Sequence, residues 1–253
     1  MVLSALWFWG ITSPALALVI TPARTEIHLA PGMSTKAVLT ATNDDKVEIQ
    51  IDVSKKDWFV LPANKALTVD KWLDVHGPSR FYLKPGKSRT VKLTVSCPKE
   101  TDGELVGMVS FLYRTEHPSM VTPMISVSMY VIAAGRDKME GAIDDITVRR
   151  WQNTLVVTAK VKASGNVHLR PSGRLVVVDS KGTELASLPI REGQPTYPGQ
   201  EQLYGGQVPA NVQLPAGAYT ARAELGYQSL KFQGSRDFTI LPNGELQLTP
   251  PKL

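Results

Sequence analysis

The sequence predicts an all-β fold built as two successive antiparallel sandwiches, and three features predict it. The first is a phrase stated twice. Residues 29–40 read LAPGMSTKAVLT and residues 83–94 read LKPGKSRTVKLT, with Leu, Pro, Gly, Ser, Leu and Thr at matching offsets. Pro presets φ at the first corner of a type II turn, and Gly supplies the positive φ at the second. The residues that follow tend to alternate between apolar and polar, so each copy is a turn feeding a strand with one inward face. The second feature is spacing: strand-forming runs recur about every ten residues, separated by turn residues. The third is that no segment sustains the 3.6-residue apolar period of a helix.

The elements follow in order. In the first half, strands are expected at 23–29, 36–42, 47–53, 67–73, 79–84, 89–95, 105–113 and 124–133. Between them lie Pro31-Gly32, Asn43-Asp44-Asp45, Pro62-Ala63-Asn64, Gly77-Pro78, Pro85-Gly86, Asp102-Gly103 and His117-Pro118, all turn signals. The polar stretch 136–140 reads as a linker. The second half repeats the grammar with strands at 143–149, 154–162, 173–178, 184–188, 202–207, 218–226 and 229–240. Within it, Leu175 to Val178 is continuously apolar, the pattern of a strand covered on both faces. The boundaries are therefore 18–135 for the first sandwich, 141–241 for the second, and 242–253 for a loose tail containing Pro242, Pro250 and Pro251.

Residues 1–17 read as a secretory leader rather than as part of the fold. They carry no charge, run apolar from Val2 to Ile11 and end on Ala15-Leu16-Ala17, an A-x-A cleavage pattern, although the usual basic start is missing. No later segment is apolar enough for a membrane span.

Composition narrows the function. The 253 residues are 43% hydrophobic, enough for two cores. The net charge of +5 is spread evenly, with 14 basic and 12 acidic side chains in 18–135 and 14 and 11 in 136–253. Without a basic block, nucleic acid has little support as a partner. Cys97 is the sole cysteine, so no intrachain disulfide forms, and a packing role beside Pro98 fits it. His28, His76, His117 and His168 are too scattered for a metal motif, and each reads as a surface or half-buried structural residue. There is no GxSxG, Walker loop or GxGxxG. Asp44-Asp45 and Asp144-Asp145 sit where Asp caps turns. Trp58, Trp72 and Trp151 read as core or interface residues. No catalytic device, cofactor or metal site is expected.

One strand stands out. In residues 124–132, MISVSMYVI, the side chains of Ile125, Val127, Met129 and Val131 share one face, and Ser126, Ser128 and Tyr130 share the other. Such a strand either fills its own core or lends that face and its backbone hydrogen bonds to another polypeptide.

Pro22-Ala23-Arg24-Thr25-Glu26-Ile27, Asn43 ending its strand, Phe81-Tyr82-Leu83 before Pro85-Gly86, Arg89, Val91 and Leu93, and the alternation of 125–131 together carry a resemblance. Over residues 18–135 the chain resembles the amino-terminal domain of PapD-type periplasmic pilus-assembly chaperones. The resemblance implies two tandem immunoglobulin-like sandwiches meeting at an angle and a basic pair that binds the carboxylate at a subunit's carboxyl end. It also implies a last strand donating alternating apolar residues, here Ile125, Val127, Met129 and Val131. Arg24 falls where the family's first-strand arginine lies; a salt bridge at the rim is its structural alternative. The family's second anchor is a lysine late in the last strand, yet no Lys lies between Met124 and Gly135, and Arg136 and Lys138 are the nearest substitutes. The second half, through Gly165-Asn166-Val167-His168, Arg170-Pro171-Ser172-Gly173 and Leu214-Pro215-Ala216-Gly217, looks like an immunoglobulin-like module of exported bacterial proteins. The expected function is a non-enzymatic periplasmic chaperone, or chaperone-like protein, that binds pilus-type subunits by strand donation, with an outer-membrane usher as a further partner. The alternative is a structural or adhesive module of the cell envelope.

Overall fold

A computed structural model describes residues 18–115, 122–152 and 154–253. The leader expected at 1–17 and His117 lie outside the described residues. The protein is all-β, with two immunoglobulin-like units. The first holds the described residues up to Thr101 together with Leu105–Ala134; the second holds Asp102–Glu104 and Gly135–Leu253.

The first unit contains β1 (Leu18–Thr21), β2 (Arg24–Leu29), β3 (Ser34–Asn43), β4 (Ile49–Phe59), β5 (Leu73–His76), β6 (Arg80–Leu83), β7 (Ser88–Ser96), β8 (Glu104–Thr115, all but its first residue) and β9 (Met124–Ala133). One sheet has the order β1-β3-β7-β5 and the other β2-β9-β8-β4-β6. The repeated phrase produces neighbours: β3 and β7 pair antiparallel from Ser34↔Ser96 to Thr42↔Ser88. The turns before them are of the expected kind. Met33 N–H donates to Ala30 O and Lys87 N–H to Lys84 O, with Gly32 at φ +88° and Gly86 at φ +67°.

Alternation then builds the core. Leu39 and Ala41 of β3, Val91, Leu93 and Val95 of β7, and Ile49, Ile51, Phe81, Val109 and Phe111 of the facing sheet are all buried. Each large apolar side chain contributes about 1.5–3 kcal/mol on burial. Trp72 is a core residue at 2% exposure, and its ring lies where a Cβ on Gly107 would stand, 2.9 Å away. Trp58 and Trp151, in contrast, are about half exposed at 52% and 51%. The strand expected at 67–73 is instead a 3-10 turn, Val69–Lys71, followed by β5. Asp57 Oδ1 caps Val69 N–H at 2.8 Å and turns the chain so that Trp72 enters the core.

Two features depart from a purely antiparallel sandwich. The first strand is interrupted at Thr21–Pro22, whose peptide bond is cis; β1 pairs with β3 in one sheet and β2 joins the other. There β2 runs parallel to β9, from Arg24↔Ser128 to Leu29↔Ala133.

The second unit contains β10 (Gly141–Trp151), β11 (Thr154–Ala163), β12 (Ser172–Asp179), β13 (Glu184–Ile190), β14 (Glu201–Gln207), β15 (Gly217–Tyr227), β16 (Leu230–Ile240) and β17 (Leu246–Leu248). Its sheets have the orders β10-β11-β14 and β13-β12-β15-β16-β17. Leu175 to Val178 is buried at every position, as its unbroken apolarity predicts. His168 is fully buried, more deeply than expected: its N–H donates to Glu104 Oε1 at 2.9 Å and its Nδ1 lies 2.6 Å from Oε2. The tail expected to be loose from 242 is a correction. β17 pairs with β16, and a further bridge joins Ser235 to Lys252. Leu246 and Leu248 pack on the core and supply the reason.

Candidate functional site

The candidate site is the edge made where β2 stops covering β9. The ladder between them begins at Ser128, opposite Arg24. β9 is flanked by β2 and β8, so among the described residues no strand pairs with 124–127 on the β2 side. Extended backbone with unpaired N–H and C=O groups is a template for an added strand.

The side chains of β9 divide sharply. Val127, Met129 and Val131 are 0% exposed and belong to the core of their own sandwich. Ile125 is partly buried against that core, and Met124 is 51% exposed. The apolar face expected to be lent is thus filled from Val127 onward, because β9 is interior to its sheet and its inward side chains complete the core. Only Met124, Ile125 and the backbone of 124–127 remain on offer. On the opposite face Ser126 meets Ser110, oxygen to oxygen at 2.8 Å, and Tyr130 is buried at 1% exposure.

Arg24 stands where the covered half of β9 begins. Its Nε lies 3.0 Å from Glu26 Oε1, with the two side chains 38% and 22% exposed. The two residues are two apart on one strand and so share a face. The sequence contained this partner in plain sight, since an i, i+2 pair on a strand is a same-face pair. Arg136 and Lys138 belong to the second unit, between β9 and β10, with exposed side chains. Their backbone is pinned by Asn166, whose Nδ2 donates to Arg136 O at 2.9 Å and whose Oδ1 accepts from Lys138 N–H at 2.6 Å. Asn166 N–H also donates to Lys138 O at 2.9 Å.

Three solved structures can be set beside this geometry. The chain is similar in structure to solved chaperones. One is the YadV chaperone, at 10% identity and TM-score 0.47, covering 94% of this chain and 100% of that one. A second is the Pseudomonas aeruginosa CupB2 chaperone, at 10% identity and TM-score 0.46, covering 93% and 100%. A third is the E. coli chaperone DraB, at 15% identity and TM-score 0.44, covering 85% and 94%. No family model matches the chain, and no curated protein matches it. At identities this low, function has to be read from this chain's own strands and side chains.

Among the described residues no group of three or more His, Cys, Asp or Glu is placed to hold a metal ion. Among them, too, no helix is long and apolar enough to cross a membrane.

Proposed function

We propose that this protein is an exported, periplasmic chaperone or chaperone-like binder of pilus-type subunits that works by lending the uncovered edge of β9. The observation that carries the reading is the abrupt start of the β2–β9 ladder at Ser128, which leaves residues 124–127 open for an added strand. The resemblance of residues 18–135 to pilus-assembly chaperones supports the same direction. In this reading the client's strand pairs with 124–127, its side chains pack on Met124 and Ile125, and Arg24 grips a client carboxylate. Arg136 and Lys138 are secondary candidates for that anchor, and an outer-membrane usher is a further partner. Val127, Met129 and Val131 support the strand from within rather than entering the client.

The test is recovery of the tagged full chain from periplasmic extract, with identification of what copurifies. Hydrogen exchange is then followed with and without the recovered protein. The expected result is a subunit-type client whose binding protects amides in 124–127. These amides should exchange faster in the free protein than those of Val91 and Leu93. Slow exchange in the free protein and no such client would sink the reading. A second reading, a structural or adhesive envelope module, draws on the complete burial of Val127, Met129 and Val131. It predicts anchoring at the cell surface and no client.

A further inference from the structure

We propose that Glu26 is a resident carboxylate on Arg24, one that an incoming client carboxylate must displace, and that it thereby sets how tightly this edge holds a free chain end. The proposal rests on the strand-donation reading. Glu26 Oε1 lies 3.0 Å from Arg24 Nε, and Glu26 is the more sheltered of the two, at 22% exposure against 38%. It is held from both sides: β2 fixes its spacing from Arg24, and its partner across the ladder is Tyr130, 1% exposed.

A guanidinium binds a carboxylate best through two parallel N–H bonds. With Nε facing Glu26, a second carboxylate brought to Arg24 meets a like charge on the same strand face. Either it shares the guanidinium and is repelled, or it displaces Glu26 and breaks the existing Arg24–Glu26 ion pair. Both outcomes weaken the hold on a free chain end. A strand whose end at Arg24 is neutral incurs neither. Glu26 therefore shifts preference away from free carboxylate ends and keeps the contact easy to release.

The test uses the full chain without residues 1–17 and a labelled synthetic peptide of alternating Val and Ser residues. The peptide is made once with a free carboxyl end and once with a carboxamide, and binding is read by fluorescence polarisation. The wild-type protein should bind the two forms within about threefold of one another. Glu26→Gln should raise the preference for the free acid about three- to fivefold, the weight of one partly exposed ion pair. Glu26→Ser should act in the same direction if the Gln variant is poorly folded by circular dichroism. Arg24→Ala combined with either should abolish the gain. A tenfold acid preference already in the wild type, or no change in Glu26→Gln, would overturn the role of Glu26 while strand docking stands. Binding of neither peptide would overturn the strand-donation reading and this proposal with it.

Discussion

Asn43 carries an unusual share of the first unit's order for a single side chain. It is fully buried; its Nδ2 donates to Val47 O and Leu83 O, each at 2.8 Å, and its Oδ1 accepts from Asp45 N–H at 2.9 Å. Its own backbone bonds Lys87 and Gly86, so the end of β3 is tied to the turn before β7. Asn43→Ala should cost about 2–4 kcal/mol in urea denaturation, because buried carbonyls lose their donors. A loss under about 1 kcal/mol would show that water replaces the amide. The sequence marked Asn43 as a strand end, but Leu83 lies forty residues away and only folding brings it near. Asp52 shows a different dependence. Arg80 opposite, donating at 2.5 Å, does most to hold its carboxyl below the ordinary 3.8; burial pushes it back up, and Arg114 on the neighbouring strand adds to the lowering. A depressed pKa stabilises the fold above the ordinary value and ceases to do so as the carboxyl protonates in the fold. Wild type should therefore exceed Asp52→Asn by about 1 kcal/mol or less at neutral pH, with the gap closing as pH falls below 3.8. Melting temperatures at neutral and strongly acid pH read this directly, and a gap that widens in acid would contradict it.

At the scale of the element, β9 behaves as two half-strands. Val127→Asp places an unpaired charge in a closed core and should unfold the first unit with or without a client. Ile125→Asp sits at the uncovered, partly exposed end. It should cost about 1–2 kcal/mol of stability and remove strand binding. Equal destabilisation by the two, followed by thermal melts, would show that the strand is uniform. The alternation of 124–132 was legible because period 2 needs only the local sequence. Which body owns the apolar face was not, because that depends on β2 arriving from the far end of the domain. The same limit explains 67–73, where apolar residues suggested a strand and Asp57 instead capped a turn. It also explains Trp58 and Trp151, whose exposure no local pattern reveals.

At the scale of the molecule, the two-sandwich plan was legible from turns and spacing, while the chain's last residues were not: Leu246 and Leu248 alternate with Gln247, but the run is only three residues long and lies between Pro242 and Pro250. The segment between β9 and β10 looked like an open linker because it is polar. In the structure Asn166 bonds the backbone of Arg136 and Lys138, which are also trypsin's targets there. Trypsin should cut at these sites slowly in wild type and several-fold faster in Asn166→Ala, as seen by gel time course. Equal rates would show that the Asn166 bonds do not restrain the segment. The parallel ladder between β2 and β9 also has a meaning in time. Its partners lie about a hundred residues apart, so their pairing closes one of the largest loops in the first unit and the loss of chain entropy comes before the gain. A chain emerging from its amino end can assemble β3 with β7 long before Met124 arrives, and β2 must wait for a strand that does not yet exist. Until residue 133 is free, the first sandwich is itself an unfinished sheet.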